Sequence, residues 1–289
     1  MAWRAVARSE IGTSHQKQQM PCQDYGHYRI FKDVIVGAVA DGAGSAKYSD
    51  VGAKLAVETV LNYLSEHLQQ PKETGFLYKG SLLKVFFAKH LGLWVSFIQN
   101  QRNRRERLFQ SFSLAEAKSL FTETTKKAIA ELHKKADSSD YSFNDLACTL
   151  LVFVATPQWV AAMQIGDGFM VLRPKDSEHQ LLFNPDKGEF VNETTFITSA
   201  NALDEMQVDV LQGQQEFICA STDGLEKVAI RMSDWKPFAP FFQPLEEYLS
   251  ETSNPEEENE YVINFLKSER LNARTDDDKT LLLCLFDRQ

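Results

Sequence analysis

The chain has no apolar stretch near the ~20 residues needed to span a bilayer. Its opening, MAWRAVARSEIGTSH, carries a charge every few residues and lacks the apolar core of a secretory signal. Positive charge is also in short supply. A formal net charge of -9 argues against a general nucleic-acid binder, which needs clustered Lys and Arg. The one basic run, Arg102–Arg107, is local and reads as a solvated helix face. Cysteine is scarce and scattered: Cys22, Cys148, Cys219 and Cys284 form no CxxC pair. Three of them lie inside apolar runs, so they read as small buried hydrophobes rather than zinc ligands or disulfide partners. The expectation is a cytoplasmic protein with neither a membrane nor a nucleic-acid partner. Two catalytic signatures are missing as well. Ser14, Ser45 and Ser221 have no GxSxG context, and GAGS at Gly42–Ser45 lacks the Gly-Lys-Ser/Thr of a phosphate loop.

What is present is a set of apolar runs broken by turn residues. Val34–Ala40 and Cys148–Ala155 are nearly all apolar, as expected of strands buried on both faces. Trp3–Ile11, Glu216–Ser221 and Thr280–Phe286 also have strand character. Trp159–Ile165 and Phe169–Arg173 predict a hairpin about Gly166-Asp167-Gly168. Helical periodicity covers Ser49–Leu68, Leu82–Gln99 and Leu114–Lys135, with further helices over Pro244–Ser250 and Pro255–Ser268. Helices dominate the middle of the chain and strands the later part, which points to a layered α+β fold. We expect a single domain over residues 1–289, with a helical elaboration at about 75–113. Phe86, Phe87, Trp94 and Phe97 lie at roughly helical spacing within it.

Four aspartate segments share one local grammar: VADGAG (Asp41), IGDGF (Asp167), ASTDGLE (Asp223) and RTDDDKTLLL (Asp276 to Asp278). Each sits where an apolar run stops or starts, beside glycine or another aspartate. One such case is an ordinary turn, because Asp and Gly are what turns require. Four at strand ends are different, since layered strands bring their ends together. Converging carboxylates repel unless they are protonated or bound to cations. Mg²⁺ and Mn²⁺ prefer oxygen ligands, and glycine after the aspartate would let a backbone carbonyl such as that of Gly42 approach. Two such ions can share a carboxylate, polarise a phosphate ester and activate water near neutral pH.

The segments PCQDYG, VADGAGS, ACTLLVF, QIGDGFMVL, CASTDGLEK and DDDKTLLL stand in this order between Pro21 and Leu283. In that order the chain resembles the metal-dependent PP2C (PPM) family of serine/threonine protein phosphatases, nearest its bacterial branch with a GTSH…PCQD opening. The resemblance implies a four-layer αββα sandwich of two antiparallel sheets flanked by helices. It implies Mg²⁺ or Mn²⁺ as cofactor, two ions and a possible third, with hydroxide between the metals attacking the phosphate in line. Carried over, Asp41 would bridge both metals, the Gly42 carbonyl would ligate one, and Asp223 and Asp277 would hold the other. Asp276 is the runner-up to Asp277. Asp24 would support metal-bound water, Asp145 would help bind a third metal, and His15 would donate a proton or contact phosphate, against a structural role in its loop. The implied partners are a phosphorylated protein substrate and a cognate serine/threonine kinase. Three departures stand out: Gln23 replaces a glutamate, Gln19 falls where an arginine grips phosphate, and Gly168 replaces a serine. The alternatives are a non-catalytic signalling module of the same fold and a metal phosphoesterase of small molecules.

Overall fold

The computed structural model describes residues 2–69, 111–183 and 194–287. The helix expected over Leu82–Gln99, the basic run and most of the 75–113 region lie outside them. Two five-stranded antiparallel sheets form the centre. One has the order β1 (Ala2–Glu10), β12 (Lys279–Asp287), β9 (Gln215–Ser221), β6 (Phe169–Pro174), β7 (Gln180–Leu181). The other has the order β2 (Tyr25–Phe31), β3 (Val34–Ala40), β4 (Leu150–Ala155), β5 (Trp159–Ile165), β8 (Gln207–Gln212). A two-stranded ribbon, β10 (Ile230–Arg231) with β11 (Lys236–Pro237), stands apart.

The apolar runs dictate how these sheets stack. Successive residues of a strand face opposite sides, so a strand apolar throughout must be covered on both. In β3, Val34, Val36, Ala38 and Ala40 pack outward with α2 (Ser49–Gln69) and α3 (Leu114–Ser139), whereas Ile35 and Val39 pack inward. The inward layer holds Leu151 and Phe153 of β4, Ile218 and Ala220 of β9, and Leu282 and Cys284 of β12. On the far side, Phe217, Cys219, Leu281 and Leu283 meet α5 (Ala239–Glu251) and α6 (Glu260–Lys267). Three apolar layers between four layers of structure make the expected αββα sandwich. Ser113 caps α3 through a reciprocal box with Glu116, a device worth about 1 kcal/mol. No helix among the described residues is long and apolar enough to cross a membrane.

The hairpin expected between β5 and β6 does not form. β5 pairs with β4 and β8, and β6 pairs with β7 and β9, so the connection Gly166–Gly168 carries the chain from one sheet to the other. Gly166 has φ +102°, a left-handed conformation open to glycine, and it turns the chain out of the sheet that holds β5. A three-residue connection suits a hairpin or a crossing equally well. Which one forms depends on the neighbours that already occupy both edges of β5.

Beneath α5, far from this crossing, Arg173 Nη1 donates to Glu216 Oε2 at 2.9 Å and Arg173 Nε to Glu246 Oε2 at 2.8 Å. His179 Nε2 contacts the other oxygen of Glu246. This polar cluster clamps α5 onto the outer face of the sheet.

Candidate metal centre

Register brings the aspartate segments to one end of the sandwich. In the first sheet Glu10 pairs with Lys279, Leu281 with Ser221, and Ser221 with Phe169. In the second, Tyr25 pairs with Ala40 and Leu150 with Ile165. The ends of β1, β9, β3 and β5 and the starts of β12, β6, β2 and β4 therefore share one rim. Asp24, Asp41, Asp167, Asp223 and Asp277 all sit on it.

Asp41 follows β3 directly. Its N–H donates to Thr149 Oγ1 at 2.9 Å, and its carbonyl accepts from Thr149 N at 2.8 Å. The next residue, Gly42, is bridged to Cys148, and its N–H donates to the Gln23 carbonyl at 3.1 Å. A Cβ at Gly42 would stand 2.7 Å from Ser49 Cβ and 2.8 Å from the Gln23 carbonyl oxygen, so the chain has no room for a side chain here. The tight packing fixes the direction in which Asp41 leaves the strand.

Carboxylate oxygens of Asp41, Asp167 and Asp223 lie within 4.8 Å of one another. Asp41 and Asp223 are half-buried and Asp167 is exposed. Burial raises the Asp41 pKa far above the usual carboxylate range, and the charges of Asp24, Asp223 and Asp277 add to it. Asp223 is pushed up to about 7 by burial and by the charges of Asp167 and Asp277. The neighbouring carboxylates thus oppose the ionisation of Asp41 and Asp223, the strain a cation would relieve. Asp277 is exposed, and one of its oxygens accepts from the Asp278 N–H at 2.9 Å.

Asp24 is buried behind this group. Its Oδ2 accepts from Thr222 Oγ1 at 2.6 Å, and Thr222 Oγ1 in turn accepts from the Thr280 N–H at 3.1 Å. The backbone donor fixes which way the Thr222 hydroxyl points, toward Asp24. The other oxygen, Oδ1, is buried with no hydrogen-bond partner among the described residues. Burial pushes the Asp24 pKa up to about 7, partly offset by the Thr222 hydroxyl.

Asp278 is the residue the sequence least distinguishes. It is almost fully buried and accepts three bonds: Gly12 N at 2.6 Å on Oδ1, Gln23 N at 2.6 Å and His15 Nδ1 at 2.9 Å on Oδ2. His15 belongs to a short helix, α1 (Thr13–Gln18), that is thereby fastened to the start of β12. Gln19, expected where the family carries an arginine, is exposed with φ 58°, and Lys17 is exposed beside it. Asp145 lies in a single 3-10 turn, Phe143–Leu146. Its Oδ2 accepts from Ser142 N at 3.2 Å, closing a cap on its own turn. Asp167 takes the third place in the carboxylate group. The strand-end grammar had marked it, and its flanking glycines had made it read as a turn.

An αββα sandwich with carboxylates gathered at one rim of both sheets is the architecture of a metal-assisted phosphatase. The chain belongs to the protein phosphatase 2C family, whose profile matches residues 11–267. It is 33% identical over 295 residues to serine/threonine-protein phosphatase 3 of Escherichia coli (strain K12), covering 99% of both chains. Among solved structures, a serine/threonine phosphatase of S. agalactiae superimposes with TM-score 0.54 at 15% identity, over 99% of this chain and 100% of that one. The catalytic domain of the serine threonine protein phosphatase PstP, solved with two manganese ions, gives TM-score 0.51 at 15% identity over 98% of each chain.

Proposed function

We propose that this protein is a metal-dependent phosphatase that hydrolyses phosphoserine and phosphothreonine esters on proteins. The observation that carries the reading is the meeting of Asp41, Asp167 and Asp223 within ligand distance, in a chain of this family. The donor set is all oxygen, with neither Cys nor His in it, which suits Mg²⁺ or Mn²⁺ over softer metals. The unpartnered Asp24 Oδ1 and the mutually opposed carboxylates fit a cation or its water in the cleft.

In this reading Asp41 and Asp223, with Asp277 and the Gly42 carbonyl, hold two cations, and Asp167 or Asp145 serves a third. The cations, when bound, supply Lewis acidity toward a phosphate ester and make water acidic near neutral pH. Asp24, fixed through Thr222, orients the attacking water with Oδ1. His15, with Nδ1–H committed to Asp278, can donate from Nε2 to a phosphate oxygen or to the leaving group in its protonated, imidazolium form. As the water oxygen bonds to phosphorus, the P–O ester bond breaks, and the proton the water loses is balanced by the one the serine or threonine oxygen gains. A cognate kinase that installs the phosphate, and a cytoplasmic setting, belong to the same proposal; the four free cysteines accord with a reducing compartment.

The test is Mn²⁺-dependent phosphate release from a phosphothreonine peptide by wild type, Asp41→Asn and Asp223→Asn. Turnover in the wild type alone supports the proposal; absence of turnover under both Mg²⁺ and Mn²⁺ refutes it. Gln19 and Gln23, neutral where the family carries an arginine and a glutamate, favour a second reading as a binding module. That case predicts metal or phosphopeptide binding without turnover. A panel of nucleotides and sugar phosphates tests the small-molecule alternative.

A further inference from the structure

We infer that Thr194 is the positioning residue for Asp167, and that the segment carrying it couples cation binding to its own docking on the cleft. The inference rests on the metal-centre reading above. Asp41 and Asp223 issue from buried strand ends, whereas Asp167 stands exposed on the crossing between sheets. A short exposed acid samples several rotamers unless something holds it. Thr194 Oγ1 donates to Asp167 Oδ2 at 2.7 Å. A hydroxyl bond to a carboxylate is charge-assisted and stronger than a neutral one. It holds the rotamer of a carboxylate that stands within 4.8 Å of those of Asp41 and Asp223.

Thr194 is itself held. Ile197, almost fully buried, donates its N–H to the Cys148 carbonyl at 2.9 Å. Phe196 packs against Ala43, Ala46 and Ala147, and its N–H donates to Ser199 Oγ at 3.1 Å. Cys148 is the bridge partner of Gly42, and Ala43 follows Gly42. The segment is therefore fastened to the loop that carries Asp41 while it hands a hydroxyl to Asp167. One short stretch sets the relation between two carboxylates that arrive from different strand ends. Groups that orient a ligand in this way typically change metal affinity 10–100-fold when removed. Linkage makes the effect reciprocal: a cation held partly by Asp167 favours the docked segment.

The experiment is Mn²⁺ titration of the folded protein by calorimetry, with hydrogen exchange at the Ile197 amide as a second readout. Wild type, Thr194→Val, Thr194→Ser, Asp167→Asn, Asp41→Asn and the Thr194→Val/Asp167→Asn double variant are compared. Thr194→Val is expected to weaken the weakest Mn²⁺ step about tenfold, the lower end of that range. Thr194→Ser should restore it, and Thr194→Val should add nothing once Asp167 is Asn. Mn²⁺ should slow exchange at Ile197 in the wild type and not in Thr194→Val. Unchanged or tighter binding in Thr194→Val, or failure of the serine variant to restore it, overturns the inference. If Asp41→Asn abolishes binding while Thr194→Val is inert, the metal centre stands and this inference alone falls. If the wild type binds no Mn²⁺, both fall together.

Discussion

His15 Nδ1 and Asp278 Oδ2 lie 2.9 Å apart, although 263 positions separate them along the chain. With the Gly12 and Gln23 N–H groups on the same carboxylate, this contact joins the opening and closing motifs of the family into one wall of the cleft.

That wall predicts a graded loss of stability. Asp278→Ala leaves two buried N–H groups and an imidazole without their acceptor, at a cost of about 3–5 kcal/mol. Asp278→Asn should cost less, since an amide oxygen on the Gln23 side keeps two of the three bonds while its NH₂ faces the Gly12 N–H. Urea unfolding of both variants checks the order, and equal losses would contradict it.

Asp41→Asn should reduce phosphate release by about three orders of magnitude, equivalent to about 4 kcal/mol in the barrier. Its thermal midpoint without metal should rise, because a neutral amide removes the opposition among the carboxylates. Steady-state assay and calorimetry test the two halves separately.

The acidic rim also predicts how stability responds to pH. Asp24 and Asp223 have folded-state pKa values raised to about 7 by burial, so the folded state binds protons more tightly than the unfolded chain. Their contribution to metal-free stability is complete below the ordinary carboxylate pKa of about 4 and is lost as pH rises toward 7. A cation replaces the protons, so its stabilising effect should grow with pH over that window. At a hundredfold excess over Kd the gain is about 2.7 kcal/mol, or roughly 5 °C in Tm for a chain this long. A larger Mn²⁺ shift at pH 5 than at pH 8 would contradict the sign.

The Glu246 cluster provides a contrast. Burial raises its pKa, but His179 and Arg173 outweigh burial and bring it below the usual range. Glu246→Ala removes that anion from between Arg173 and His179 and should cost about 3 kcal/mol of stability. Mn²⁺ affinity of the folded fraction should stay unchanged, because the cluster lies on the outer face of its sheet. A weaker Mn²⁺ titration would show that α5 and the cleft communicate.

Much of this architecture was legible in the sequence. Val34–Ala40 and Trp159–Ile165 are strands with the expected bounds, and α2 and α3 begin at Ser49 and Leu114 as their periodicity predicts. β2 and β8 were not legible, since both are half-exposed edge strands with mixed polarity. Pro244 suggested a helix start, but it lies inside α5, which starts at Ala239 with Pro240 in its first turn. The apolar runs of β5 and β6 identified two strands without saying that they belong to different sheets. The carboxylates of Asp41 and Asp223 announced themselves through their strand ends. Asp278 did not, because nothing local distinguishes a buried acceptor of three hydrogen bonds from its exposed neighbours Asp276 and Asp277. Its role exists only once Gly12, His15 and Gln23 arrive from the other end of the chain.

The pairing of β1 with β12 has a practical consequence. Glu10 and Lys279 meet at the acidic rim, and Ala2 and Asp287 meet at the opposite end of the same ladder. Eight residue steps at about 3.4 Å each put those two points roughly 27 Å from the cleft. A dye or surface linker attached at Ala2 would sit beside Asp287, at the end of the ladder away from the rim. Attachment through Ala2 or Asp287 would thus leave the acidic rim open.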